Sequence, residues 1–116
     1  MHSKHAKAAT KEEKQRFERM AEIGCIACRL QGLKKPLWAP EIHHLIDGMK
    51  RRGHSDTICL CTFHHRGIPL PGMNYKEMIR LAGPSLFHNG KAFKEVYGKD
   101  DELLKLQNEL LTLVKR

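Results

Sequence analysis

Aromatic residues are scarce, at 6 % of the chain, with one Trp, two Tyr and four Phe. A chain of 116 residues with so few large rings builds a limited core, and a covalent or metal staple would help to hold it. Long apolar runs are missing too. None approaches the ~20 residues needed to span a bilayer, so no membrane partner is expected. The opening "MHSKHAKAATKEEK" has no apolar stretch of the kind a secretion leader carries, which points to the cytoplasm. Acidic residues fall short of the basic ones, 13 against 21, leaving a net charge of +8. Such an excess favours a polyanionic partner, usually nucleic acid, through phosphate neutralisation and counterion release. In a reducing compartment the four cysteines serve metal binding better than disulfides.

The rest of the chain reads as an α+β unit. "TKEEKQRFERMAEIG" predicts a helix with Thr10 as N-cap, Glu13 as its capping-box partner and Gly24 as its stop. "CIACRLQGLKKPLWAP" reads as a loop around a Cys-x-x-Cys turn, "EIHHLI" as a strand, and "DGMKRRGHSD" as a basic turn. "TICLC" predicts a second short strand, and "TFHHRG" a short helix closed by Gly67. "NYKEMIRLAG", "KAFKEVYG" and "DDELLKLQNELLTLVKR" predict three further helices. The last has acids in its first turn, Lys-Arg in its last, and Leu103, Leu106, Leu110 and Val114 along one face. The division is a short basic arm over residues 1–10 and a single domain over 11–116.

Cys25-x-x-Cys28 and Cys61-x-x-His64 are two half-sites of the spacing that closes a tetrahedral zinc site. Each short loop brings two donors to one side, and the residues between the half-sites carry the basic hairpin, so a structural Zn²⁺ would clamp the N-terminal helix to that hairpin. Cys59 is a spare thiol. It either packs as a small hydrophobe or competes with His64 as a ligand.

That use of His64 leaves its neighbour His65 without a task, along with His43, His44 and His54. These histidines flank a strand–turn–strand–helix whose turn is rich in Lys and Arg. There, a hairpin histidine and a helix histidine can reach one divalent ion, while a second hairpin histidine deprotonates a water. On a helix His64 and His65 point roughly 100° apart, so one can face the zinc and the other a cleft. In a regular strand His43 and His44 point to opposite faces, and serving one site together would need a strand end or bulge.

"EIHHLI", "HSDTICLC" and "TFHHRG" resemble the ββα-metal core of HNH endonucleases. More narrowly, "CIAC", "HHLIDGMKRRGHSDTICLC", "HHRG" and "GPSLFHNGKAFKEVYG" resemble the phage recombination-enhancement (Ref) nucleases, which cut DNA in dependence on a RecA filament. The resemblance implies a small zinc-stabilised ββα-metal core with flanking helices, acting in a bacterial host cell as a monomer. It implies that His43 and His65 hold a catalytic divalent ion, Mg²⁺ or Zn²⁺, and that His44 is the general base. The central HNH asparagine is replaced: Asp56 lies at the matching distance, with His54 as competitor for the middle role. Arg66 or Arg52 would hold the phosphate, and Lys50, Arg51 and Arg52 would meet the DNA backbone. The rival is a non-catalytic zinc-stabilised protein that binds DNA or recruits RecA. In "GPSLFHNGKAF" Gly83 and Pro84 set a turn, and the segment is either a structural connector or a place where Ser85 or Lys91 could touch phosphate.

Overall fold

A computed structural model of the chain describes residues 8–33 and 40–113. Most of the basic arm expected over residues 1–10, as well as Val114 and the closing Lys-Arg, lies outside the described residues.

The first helix, α1 (Lys11–Ile23), begins and ends where its sequence signals stand. Thr10 caps it, Glu13 completes the reciprocal capping box, and Gly24 closes it at φ 82°. The Cys-x-x-Cys segment is a five-residue helix, α2 (Ile26–Leu30), rather than the expected loop. Its N-cap is Cys25, whose Sγ accepts the Cys28 N–H, a use of cysteine that ordinary capping preferences do not signal.

Two small antiparallel sheets follow. In the first, β1 (Pro40–His44) pairs with β4 (Thr57–Cys61) in unbroken register from Pro40↔Cys61 to His44↔Thr57. In the second, β2 (Ile46–Asp47) pairs with β3 (Lys50–Arg51) through the two-residue turn Gly48-Met49. Gly48 has φ 62°, the first central position of a hairpin turn that favours glycine there. The chain then runs from β4 directly into α3 (Thr62–Arg66), which ends at Gly67 in the left-handed conformation. Helices α4 (Tyr75–Ala82), α5 (Gly90–Tyr97) and α6 (Asp100–Leu111) complete the chain.

Every residue of β4 is buried, and its two faces feed different parts of the core. Ile58 and Leu60 join the larger cluster with Phe63, Met78, Phe93 and Leu103. Cys59 lies on the opposite face with Met20 and Leu111, so it packs as a hydrophobe and stays outside the metal cluster. α6 buries Leu103, Gln107 and Leu111, a stripe rotated from the expected leucine face. Leu106 and Leu110 are only partly buried against the core. The reason for the rotation is polar. Gln107 accepts the Cys59 N–H at 2.6 Å and donates to the Thr57 carbonyl at 2.8 Å, closing the edge of β4 that β1 does not cover. No helix among the described residues is long and apolar enough to cross a membrane.

Candidate metal centres and active site

Cys25 and Cys28 come from the start of α2, Cys61 from the end of β4, and His64 from α3. All four are buried, and their ligand atoms lie within 4.8 Å of one another. Nδ1 of His64 is 3.2 Å from Cys61 Sγ and 3.5 Å from the sulfurs of both Cys25 and Cys28. The other ring nitrogen fixes the tautomer. Nε2 of His64 sits 2.8 Å from the Ala82 carbonyl, which only accepts, so Nε2 carries the proton and Nδ1 turns its lone pair to the thiols. Tyr97 braces the same carbonyl from 2.6 Å and is itself bonded to Gln31 Nε2 at 3.0 Å. A set of three thiol sulfurs and one imidazole nitrogen converging on one buried point fits a structural zinc, so the cluster could hold that ion. Sequence reasoning finds the four residues of this cluster but not Ala82, Tyr97 or Gln31, because a carbonyl acceptor and its braces carry no spacing signal.

Away from this cluster, His65 leaves α3 in another direction, as the helical angle demands. Its ring meets that of His43 edge-on, with centroids 4.9 Å apart. Its Nδ1 lies 2.9 Å from Glu41 Oε1 and donates to it, which turns the Nε2 lone pair outward. Glu41 is the missed residue here. Its carboxylate also accepts from Arg66 Nη2 at 2.7 Å and from Thr62 Oγ1 at 3.1 Å. Hydrogen bonding from Arg66, then from His65 and Thr62, holds that carboxyl below the usual range. A signal for Glu41 did exist. Two residues before His43 in a strand, it must share that residue's face. Burial, and then the neighbouring His65, push His43 down to about 4, so its imidazole is neutral at ordinary pH.

His44 stands apart from that pair. The unbroken pairing of β1 through His44↔Thr57 contains no bulge, so His43 and His44 project to opposite faces. The His44 ring meets His54 instead, Nε2 to Nδ1 at 3.0 Å, and His54 in turn contacts Phe17. Burial, then Arg51 and His54, lower His44 below its ordinary value. A cleft of about 360 Å³ opens beside it, lined by Thr10, Glu13, Arg51 and His54 among others. Of the two candidates for the middle position, His54 touches His44. The Asp56 carboxylate points to Arg52, 4.0 Å away. Among the described residues, the zinc quartet is the one group of three or more donors close enough to hold an ion.

The arginines are engaged as well. Arg66 forks onto Glu41, and Arg52 reaches Asp101 at 2.7 Å and Asp47 at 3.5 Å. Arg52 thus ties the hairpin to α6, whereas Lys50 and Arg51 are exposed.

No curated protein matches the chain. A family model does, that of the recombination-enhancement, RecA-dependent nucleases, and it covers residues 9–112, nearly the whole chain. The chain that assembles this buried Cys/His quartet beside two histidine pairs belongs to the RecA-dependent nuclease family of recombination enhancement.

Proposed function

We propose that the chain is a metal-dependent DNA endonuclease of the HNH type, working with a RecA filament. The observation that carries the proposal is the His43–His65 contact, made between the first strand and the helix of a β1–β4–α3 unit whose helix is pinned by the zinc quartet. His43 and His65 would hold the catalytic ion, with Glu41 fixing the His65 tautomer. Two imidazoles suit Zn²⁺, and they suit Mg²⁺ only where substrate and water oxygens supply the remaining ligands. Once bound, the divalent ion would polarise a non-bridging phosphate oxygen and stabilise the departing 3′ oxygen.

The other steps fall to the protein. His44, neutral and beside an open cleft, takes the proton of the attacking water. His54, 3.0 Å away, sets which nitrogen of His44 faces that water. Arg66 holds phosphate charge only by exchanging its Glu41 contact for the substrate, so its first task is to orient Glu41. A non-catalytic, zinc-stabilised DNA binder is the rival, favoured by one observation: His44 faces away from the His43–His65 pair. Productive geometry therefore requires the end of β1 to turn when substrate binds.

The test is cleavage of supercoiled and single-stranded DNA by the parent and His44→Ala, with and without divalent metal and a RecA–nucleotide filament. His44→Ala should keep its zinc and DNA affinity and lose cleavage by about a hundredfold or more, the usual worth of a general base. Equal cleavage by the two proteins in every condition would leave the binder as the better account.

A further inference from the structure

The hairpin β2–β3 stands out from the body on a fixed base. At that base Leu45 is fully buried, and its carbonyl accepts the Arg52 N–H at 2.9 Å. The Arg52 side chain then reaches Asp101 of α6 at 2.7 Å. Beyond this anchor every residue from Ile46 to Arg51 is exposed. At the tip, the turn Gly48-Met49 joins the two short strands, and nothing lies within 4 Å of where a Gly48 Cβ would stand. Met49 is 99 % exposed, more than any other large apolar residue among the described ones.

A lone exposed apolar residue is ordinary. Met49 differs through its position and its neighbours. Lys50 and Arg51 follow it directly and, as successive residues of a strand, point to opposite faces of the ribbon. Neither is in an ion pair among the described residues, and the acid of the hairpin, Asp47, faces Arg52 at 3.5 Å. The tip therefore carries two uncompensated cations behind one apolar side chain. Arg51 also lines the cleft of about 360 Å³ that opens beside His44, so phosphates gripped by the ribbon lead toward the proposed base. A two-stranded ribbon fits a DNA groove. An unbranched thioether at its tip can slide between base pairs, unstacking one step and kinking the duplex.

We propose that Met49 is a wedge that enters one base step of duplex DNA while Lys50 and Arg51 hold phosphates on either side of the groove. The proposal rests on the nuclease reading for its partner and deepens it, naming a duplex kinked beside the His44 cleft as the bound form. A thioether offers no strong hydrogen bond to a base edge. The wedge therefore selects steps that unstack easily, by deformability rather than by reading bases.

The test uses the full, zinc-loaded chain without added divalent metal, so that no cleavage intervenes. Bending is read by energy transfer between dyes at the two ends of a short duplex. Affinity is read by anisotropy on that duplex and on one with a single central mismatch. The parent should bend the duplex and bind the mismatched one roughly tenfold more tightly, because a weakened stack costs less to open. Met49→Ala should lose the bend and most of that preference. Its melting temperature and the salt dependence of binding should not move, since neither core nor cation is removed. Met49→Leu, a wedge of like size, should keep both the bend and the preference. An unbent parent complex overturns the proposal, as does a Met49→Ala variant that bends and discriminates like the parent. If that variant also loses binding to a RecA filament, Met49 is a protein contact instead. An unbent complex alongside normal cleavage by the parent would remove the wedge and leave the nuclease reading standing. Normal cleavage by His44→Ala would remove the catalytic mechanism and leave the wedge standing, because no step here is hydrolytic.

Discussion

Glu41 accepts hydrogen bonds from three side chains, His65, Arg66 and Thr62, and through His65 it reaches the proposed catalytic ion. Replacing it with glutamine keeps the shape but removes the charge that holds the His65 Nδ1 proton. Glu41→Gln should raise the divalent-metal concentration needed for cleavage by roughly 10–100-fold, the usual effect of losing a partner behind a metal-bound histidine. Excess metal should restore the rate, and the melting temperature should change little at this half-buried rim. A metal titration identical to the parent's would reduce Glu41 to a surface partner of Arg66. The contrast between Glu41 and the residues it serves shows what a sequence discloses at this scale. Cys25, Cys28, Cys61 and His64 are legible because few tasks other than metal binding use those residue types at that spacing. His43, His44 and His65 stand out as a surplus over the zinc quartet. Glu41 looks like any polar residue on a strand until the fold sets α3 against it. His54 and Asp56 lie two residues apart, and only three-dimensional direction separates the one that meets His44 from the one that meets Arg52.

Among the elements, β4 has β1 on one edge and polar side chains on the other. Gln107 serves the Cys59 N–H and the Thr57 carbonyl, and Arg16 Nη2 also donates to that carbonyl at 2.7 Å. Gln107→Leu therefore strands mainly one group, the buried Cys59 N–H. The expected cost is about 1–3 kcal/mol, read as a lower urea midpoint at unchanged slope. An unaltered midpoint would mean that the strand edge finds another partner. This contact also explains why the inward face of α6 was only partly legible. An apolar pattern selects Leu103, Leu106, Leu110 and Val114, but a helix laid along a strand edge needs a polar group at its centre. α2 hid for a related reason, since its cap is a thiol usually counted as a ligand alone. By contrast α1 was legible, because the capping box Thr10/Glu13 forms as its spacing requires, and α4, expected as a helical stretch, carries a like box in Asn74/Glu77.

For the molecule as a whole, the Cys/His quartet joins α2 to the β4–α3 junction, drawing the two cysteine half-sites together under a core with few aromatics. A structural zinc there would contribute folding energy, so chelation or Cys28→Ser should unfold the chain or lower its melting temperature sharply, with loss of about one zinc per chain. Full stability after either treatment would refute the clamp. The second property at this scale is charge. With a net +8, DNA binding should weaken steeply as salt rises, each neutralised phosphate adding about 0.9 to the log–log slope on a duplex. Which cations contribute follows from the hairpin. Lys50 and Arg51 are exposed, whereas Arg52 is drawn inward onto Asp101 and Asp47. Replacing Lys50 and Arg51 together with alanine should flatten the slope by roughly two phosphates' worth and leave the fold intact. Arg52→Ala should behave differently, releasing the hairpin from α6 and lowering stability before it alters the salt dependence. If the double variant keeps the parental slope, the hairpin is not the phosphate-binding surface. The contacts would then belong to other cations of the chain, with Lys91 and Lys94 the next pair to replace.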